Sequence, residues 1–141
     1  MHEPIIKGNM ITTPSSLEYL THIDDFIEGI LRDFQVEESI IADIAISVSE
    51  LVNNSVNHGN KSDTGKTVSV SISKKGNDVE IKIEDQGQGF DPSEISNPLD
   101  EENLLKDTGR GIFIVNALMD KVDVLTTSKG TTTTITKSIT K

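Results

Sequence analysis

The chain has 141 residues, a length that fits one domain of ordinary size built around a single core. Its net charge of −10 repels nucleic-acid backbones and anionic lipid, which argues against direct binding to either. The absence of cysteine excludes disulfides and thiolate metal sites, and no run of about 18 apolar residues suggests a membrane span. These features predict a soluble, cytoplasmic protein.

The first half of the chain predicts one strand and two helices. Residues 5–12 are typical of a short strand, and Thr13-Pro14 supplies a cap residue and a first-turn proline for a helix. Apolar residues then recur at steps of three and four as far as Phe34, which predicts one amphipathic helix. A second helix is expected from the acidic pair at 37–38 to the C-cap signal His58-Gly59.

Two runs in the middle of the chain alternate apolar and polar residues. Residues 67–73 and 79–85 predict the strands of a hairpin, because 75–78 between them has turn chemistry. Asp85 continues the aliphatic row of the second strand, and a carboxylate facing a core is costly unless donors are dedicated to it. Asp85 therefore either caps the glycine turn that follows or forms the floor of a ligand pocket.

The last part of the chain predicts a loop, a helix and a second hairpin. Residues 90–107 lack periodicity and contain two prolines, as loops do. Residues 109–119 predict the helix, and 122–127 with 131–139 predict the hairpin. The order of the elements predicts an α+β fold, a two-layer sandwich in which helices cover one face of a mostly antiparallel sheet.

One face of the second helix carries polar residues and has two interpretations. Five of them fall within an arc of roughly 80°, at about 100° per residue, opposite the apolar stripe: Asp43, Ser47, Glu50, Asn54 and Asn57. Such a face is typical of any solvated surface helix. The asparagines in the last turns are poor helix formers, however, and this favours a functional site.

Glycine pairs occur at two places where the backbone could approach a ligand closely. Gly87 and Gly89 follow the first hairpin, and Gly109 with Gly111 opens the third helix, whose N-terminal N–H groups could hold phosphate. Each pair alone is also typical of ordinary turns. Two familiar fingerprints are excluded: the dinucleotide motif lacks its third glycine, and residues 65–67 lack the first glycine of a P-loop.

Four motifs nevertheless occur together and in a fixed order. They are Glu50-x-x-x-Asn54-x-x-x-His58-Gly59, Asp85-x-Gly87-x-Gly89, Gly109-x-Gly111 and Gly130-Thr131. This set resembles the Bergerat-fold ATP-binding superfamily of gyrase, Hsp90, histidine kinases and MutL. The segment after Gly89 and the end of the third helix are most similar to the stand-alone anti-sigma-factor serine kinases. The resemblance implies one histidine-kinase-like ATP-binding domain over residues 1–141, with an ATP lid at about 90–111.

The resemblance implies a role for the residues that contact the base, the metal and the acceptor. Asp85 would accept the adenine amine, assisted by Thr131 and by the close backbone at Gly87-x-Gly89. Asn54 would hold Mg²⁺, which bridges the phosphates. Glu50, one helical turn earlier, would take the proton from an incoming serine or threonine hydroxyl as general base.

The resemblance also implies nucleotide contacts for the other motif residues. His58-Gly59 completes the helix motif, and Gly109 to Gly111 would close over the phosphates. Arg110 and Lys106 are the cations near that turn, and each is a candidate for a phosphate contact. In one respect the chain departs from the anti-sigma kinases, which often carry a basic residue two positions before the first lid glycine. Asp107 stands there instead, and this bears on the lid contacts and the rate of transfer.

Two functions follow from the resemblance. The first is an ATP-dependent serine/threonine kinase that phosphorylates a STAS-domain anti-sigma antagonist and binds a sigma factor when that antagonist is absent. The second is an ATP-binding partner-switching module with slow or no catalysis. Glu50 favours the first, because a structural ATP site has no use for a base beside the metal ligand. The apolar stripe of the first helix, residues 16–34, could serve a homodimer or a sigma factor as easily as the core.

Overall fold

The computed structural model describes residues 3–59, 65–86 and 110–139, which form three α-helices and one six-stranded sheet. Every strand pair is antiparallel, and the spatial order is β1-β2-β3-β4-β6-β5. The predicted α+β sandwich is confirmed. The elements are β1 Ile5–Lys7, β2 Met10–Pro14, α1 Leu20–Asp33, α2 Glu38–Asn54, β3 Thr67–Lys75, β4 Asp78–Asp85, α3 Arg110–Leu118, β5 Lys121–Thr127 and β6 Gly130–Ser138.

The N-terminal segment is a hairpin rather than the single strand predicted for residues 5–12. Lys7 pairs with Met10 across a two-residue turn, in which Gly8 has a φ of 57°. A left-handed first position is what a tight hairpin turn needs, and glycine adopts it without strain. The edge strand β1 leaves Ile5 and Ile6 exposed.

The predicted helix start at Thr13-Pro14 is wrong, because both residues belong to β2. Pro14 pairs with Thr67 at the very end of the strand, where a missing N–H costs little. The chain instead turns at Ser16, whose hydroxyl accepts a hydrogen bond from the Glu18 N–H at 3.4 Å. A single 3₁₀ turn, Leu17–Tyr19, then leads into α1.

The turn between α1 and α2 is a Schellman motif. The N–H of Val36 donates to the carbonyl of Leu31 at 3.1 Å, and that of Gln35 donates to Arg32 at 2.9 Å. Gln35 occupies the left-handed position with a φ of 62°, where glycine is the usual residue. Val36 and Leu31 are both buried, which gives the motif its customary apolar contact.

The middle of the predicted apolar stripe lies in the core, whereas Leu17 at its start is 43% exposed, and a partner on this stripe stays a prediction. Ile23, Ile27 and Leu31 are each no more than 1% exposed. Burying one such side chain stabilises the fold by about 1.5–3 kcal/mol. A hydroxyl–carboxylate hydrogen bond also joins the first two helices, from Ser49 Oγ to Asp24 Oδ1 at 3.1 Å. Burial raises the pKa of Asp24 above its usual value.

Both predicted hairpins are confirmed, and together they place the end of β4 in the middle of the sheet. β3 and β4 are joined by the two-residue turn Gly76-Asn77. β5 pairs with β6 along its whole length, and the last pair before the turn is Thr127 with Gly130. β4 lies between β3 and β6. Its inner face carries a buried aliphatic row that ends at Asp85, as the alternation predicts. No helix in the described ranges is long and apolar enough to span a membrane.

Candidate functional site

The polar face of α2 is largely buried, so its interpretation as a solvated surface is wrong for the residues that matter most. Ser47 is 0% exposed and Asn54 is 4% exposed, whereas Glu50 between them is half-buried. Helix α3 packs against α2, which explains why this side of α2 is shielded from water. The Ser47 hydroxyl donates to the carbonyl of Asp43 at 3.0 Å, so Asn54 is the buried side chain here that needs a further explanation.

Gly111 brings the first turn of α3 against the Glu50 and Asn54 side chains. A Cβ atom added to Gly111 would lie 2.9 Å from Glu50 Oε2 and 3.4 Å from Asn54 Nδ2. Any side chain at this position would therefore displace the carboxylate. Three predicted site residues thus meet at one place: a carboxylate, an amide, and the glycine that opens a helix.

Asn54 holds an unused hydrogen-bond donor at this place. Its Nδ2 atom is buried and has no hydrogen-bond partner among the described residues. An unmet buried donor costs about 1–3 kcal/mol, so a side chain left in this state is typical of a binding site. The two ends of an asparagine amide are interchangeable by rotation, so Asn54 can present either its oxygen or its N–H to a ligand.

The helix containing Glu50 and Asn54 ends in a π turn, Ser55–Gly59. π turns within helices occur frequently at functional sites. Asn57 Nδ2 donates to Asn53 Oδ1 at 2.5 Å across this turn, which gives these two asparagines a structural role. The backbone of His58 and Gly59 belongs to the turn, in agreement with the predicted helix end, but their side chains lie outside the described part of the chain.

Asp85 is the last residue of β4, a strand that lies between β3 and β6. It pairs with Val68 of β3 on one side and Thr131 of β6 on the other. Asp85 is 8% exposed and Thr131 is 2% exposed. Thr131 Oγ1 also lies 3.2 Å from Thr126 Oγ1 of β5, and this hydroxyl pair restrains its orientation. A carboxylate and a hydroxyl thus stand side by side on the helix-facing side of the sheet.

Gly130 allows β6 to approach the backbone of Asp85 more closely than any other residue would. Its φ of 147° lies in the region that glycine alone adopts readily. A Cβ atom added to Gly130 would lie 1.9 Å from the carbonyl oxygen of Asp85, which is deep overlap with backbone. A glycine at position 130 therefore sets how closely the backbone of Asp85 lies to β6.

Several predicted site residues fall outside the part of the chain that the structure describes. They are Gly87, Gly89, Gly109 and the predicted lid as far as residue 109. For Arg110, the structure describes only the backbone, which begins α3. The described ranges contain no group of three or more acidic or histidine side chains that could hold a metal ion alone.

The sequence reasoning missed one residue of this region, Gln86. Its Oε1 accepts a hydrogen bond from the Thr67 backbone N–H at 2.8 Å, beside Asp85. The residue between Asp85 and Gly87 is only the variable position of the motif. No pattern in the sequence marks it, because the contact depends on the register of β3 against β4.

Comparison with known proteins gives a family match over most of the chain. The model of the histidine kinase-like ATPase domain matches residues 13–137. A serine-protein kinase RsbW of Halalkalibacterium halodurans is 32% identical over 133 residues, which cover 88% of this chain and 78% of the relative. An RsbW of Bacillus anthracis is 29% identical over 135 residues, covering 89% and 81%.

Solved structures share the fold. The RsbU and RsbW domains of a Mycobacterium tuberculosis protein align with a TM-score of 0.68 at 20% identity, covering 98% of this chain and 32% of that one. This chain therefore spans about a third of that protein's chain. The Pseudomonas aeruginosa SiaB-SiaC complex aligns with a TM-score of 0.57 at 12% identity, covering 97% and 90%.

These matches confirm the resemblance on which the predicted roles depend, including its serine-protein-kinase type. The matched range contains the buried Glu50–Asn54 face, Asp85 and the Gly130-Thr131 turn. The chain belongs to the histidine kinase-like ATPase domain family.

Proposed function

We propose that this protein transfers the γ-phosphoryl group of ATP to a serine or threonine of a STAS-domain antagonist, and that it binds a sigma factor when the antagonist is absent. One observation carries the proposal: the half-buried Glu50 carboxylate lies beside the glycine that opens α3, together with the Asn54 Nδ2 atom, which has no hydrogen-bond partner among the described residues. A site that only stored ATP would not need a carboxylate there.

Adenine recognition is assigned to Asp85 and Thr131. A buried carboxylate accepts hydrogen bonds only, so it selects a base that offers an exocyclic amine. The neighbouring Thr131 hydroxyl can donate or accept and can complete the match to a ring nitrogen. A base that offers a carbonyl at that place would face the carboxylate and be rejected, which favours ATP over GTP.

The side chains at the other end of the site fit a Mg²⁺ ion that shares its ligands with phosphate. Asn54 can supply one oxygen, and its N–H group can then meet a phosphate oxygen. Mg²⁺ is typically bound by one or two protein groups together with phosphates and waters, so a single amide oxygen from Asn54 is a suitable protein ligand. When bound, the ion would neutralise charge that develops on the transferred group.

Glu50 is assigned as the general base. As the acceptor hydroxyl oxygen forms its bond to the γ-phosphorus, Glu50 accepts the hydroxyl proton, and the bond to the β-phosphate bridging oxygen breaks to release ADP. The carboxylate is held in place from one side by the Gly111 backbone. The N-terminal end of α3 adds a favourable field for the phosphate charge.

The alternative is a partner-switching module with slow or no transfer, which Asp107 favours because it places an acidic residue where the related kinases often have a basic one. The two functions differ in their products. We expect capture from the host cytosol, with and without Mg·ATP, to yield a STAS-domain protein that becomes phosphorylated on serine or threonine. Acid-stable phosphate distinguishes this from histidine phosphorylation, and an acceptor that binds but never gains phosphate would support the module instead.

Replacing Asp85 with asparagine is expected to weaken ATP binding by about 100-fold or more. The amide can turn an N–H toward the adenine amine, so an attractive contact becomes a repulsive one while a polar group stays buried. Titration calorimetry with Mg·ATP measures the loss. The exposed Glu84→Gln variant, one residue earlier on the outer face of β4, is the matched control and should bind normally. Unchanged affinity in Asp85→Asn would refute the pocket assignment.

A homodimer is part of the proposal, and the exposed apolar side chains of the N-terminal hairpin are the surface available for it. Ile5 and Ile6 are 45% and 58% exposed on β1, an edge strand of the described sheet, beside which a second copy could add its strand, and Met10 on the neighbouring β2 is 37% exposed. We expect light scattering to give about twice the 15.4 kDa chain mass and Ile6→Lys to give the monomer. A monomeric wild-type protein at micromolar concentration would contradict this.

A further inference from the structure

The ladder between β3 and β4 ends in an unusual way, one residue after the pair formed by Val68 and Asp85. The next residue of β3 is Thr67, and its N–H donates to the side-chain oxygen Oε1 of Gln86, the residue after β4, at 2.8 Å. A side-chain amide oxygen thus accepts a backbone hydrogen bond at the end of the ladder.

The hydrogen bond to Gln86 gives the Thr67 N–H an acceptor at the point where β4 stops, after Asp85. Ends of strands tend to open because they lack neighbours, and an unpaired N–H would add to that tendency. Gln86, the residue after β4, closes the ladder with its side chain. The strand therefore ends in an ordered way at the residue assigned to adenine.

Asp85 is consequently held from both sides. On the β6 side, Gly130 lies against its carbonyl and Thr131 pairs with it. On the β3 side, the Gln86–Thr67 hydrogen bond secures the next peptide. A recognition carboxylate must be placed to within about 0.5 Å, and such placement comes from the residues around it.

We propose that Gln86 is a positioning residue for nucleotide recognition, which fixes the carboxylate of Asp85 by bonding to the Thr67 backbone. This rests on the proposed function, since it concerns the same adenine pocket. Gln86 is exposed and lines a groove of about 310 Å³ together with Ser69 and Glu84, residues that alternate with the buried inner-facing positions of their strands. Its side chain thus lies on the side of the sheet away from the helices and acts through Asp85.

The test compares two substitutions that differ in one property. Gln86→Met keeps the length of the side chain but removes the acceptor, whereas Gln86→Glu keeps an acceptor oxygen at the same distance. Lys82→Ala, an exposed change on the same face of β4, is the control. Hydrogen exchange of the Thr67 amide is measured by NMR without nucleotide. Mg·ATP affinity, and KM and kcat for phosphotransfer, are measured on the same proteins.

We expect Gln86→Met to speed exchange of the Thr67 amide at least about tenfold and to weaken ATP binding about fivefold, the effect of one net hydrogen bond. KM for ATP should rise by a similar factor with kcat within about twofold, because the chemistry at Glu50 is untouched. Gln86→Glu should restore both exchange protection and affinity, and Lys82→Ala should change neither.

Three results would overturn the inference. Unchanged Thr67 exchange in Gln86→Met would show that the hydrogen bond does not hold the strand end. Gln86→Glu as weak as Gln86→Met for ATP, with Thr67 protected, would show that the amide contacts the ligand itself. A wild-type protein that protects Thr67 but binds no ATP would refute the proposed function, and the adenine role of Gln86 with it.

Discussion

Glu50→Ala is expected to lower phosphotransfer to the protein acceptor by about 10²–10⁴-fold, the usual contribution of a general base, with little change in ATP affinity. The carboxylate is on α2, one helical turn from Asn54 and beside the first turn of α3, whereas Asp85, the residue assigned to adenine, is on β4. Loss of the base should therefore reduce kcat and leave the nucleotide anchored. Single-turnover transfer of ³²P from ATP, together with calorimetry, measures the two quantities.

Glu50→Gln separates the loss of the base from the loss of packing. It keeps the volume of the side chain against Gly111 and removes only its ability to take a proton. It should therefore be nearly as slow as Glu50→Ala. Asp25→Asn, an exposed carboxylate on α1, should transfer at the wild-type rate. If Glu50→Gln retained most of the activity, the carboxylate would be acting through packing, and the assignment of a base would be wrong.

Gly130→Ala is expected to lower the free energy of unfolding by about 3 kcal/mol and to abolish measurable ATP binding. Its new methyl group would lie 1.9 Å from the Asp85 carbonyl oxygen, so one of the two strands must move. Overpacking typically costs about 1–3 kcal/mol, and the strained φ adds to it. The movement falls on Asp85 itself, which couples the stability loss to the binding loss. Equilibrium urea denaturation and ATP titration measure the two effects.

Gly76→Ala provides the matched control. Gly76 also has a positive φ, of 61°, but an added Cβ there would meet nothing within 4 Å. Its free energy of unfolding should fall only by the cost of placing alanine in a left-handed backbone conformation, about 1–2 kcal/mol. ATP binding should be unchanged, since the turn lies at the other end of β4. Equal losses of stability and binding in the two variants would show that close approach to Asp85 is unimportant.

Much of the fold could be predicted because it follows from local periodicity. The alternation of apolar and polar residues along 79–85 predicts a strand with Asp85 on its inner face, and the structure has both. The stripes of α1 and α2 and the turns at 75–78 and 129–130 are similarly local. Patterns of this kind are set by the side chains of neighbouring residues, so tertiary packing does not override them.

The wrong predictions come from sequence patterns that are typical of two different local structures. A Thr-Pro pair suits the first turn of a helix and also the last residue of a strand, and only pairing with Thr67 decides between them. The polar arc on α2 is equally typical of solvent and of a site. Its outcome depended on α3 packing against α2 at Glu50 and Asn54, a contact between segments more than fifty residues apart. Gln86 is of the same kind, since its partner is set by strand register.

The buried donor of Asn54 has a consequence for how much folded protein a cell holds. The described structure leaves that N–H without a partner, a burden of about 1–3 kcal/mol on a fold of ordinary stability. A ligand that pairs with this N–H removes the burden, and that gain is part of the binding free energy by which the ligand stabilises the folded state. Under the proposed function that ligand is ATP. The turnover of this regulator by proteases would then slow as ATP rises, so its abundance would follow the energy supply of the cell.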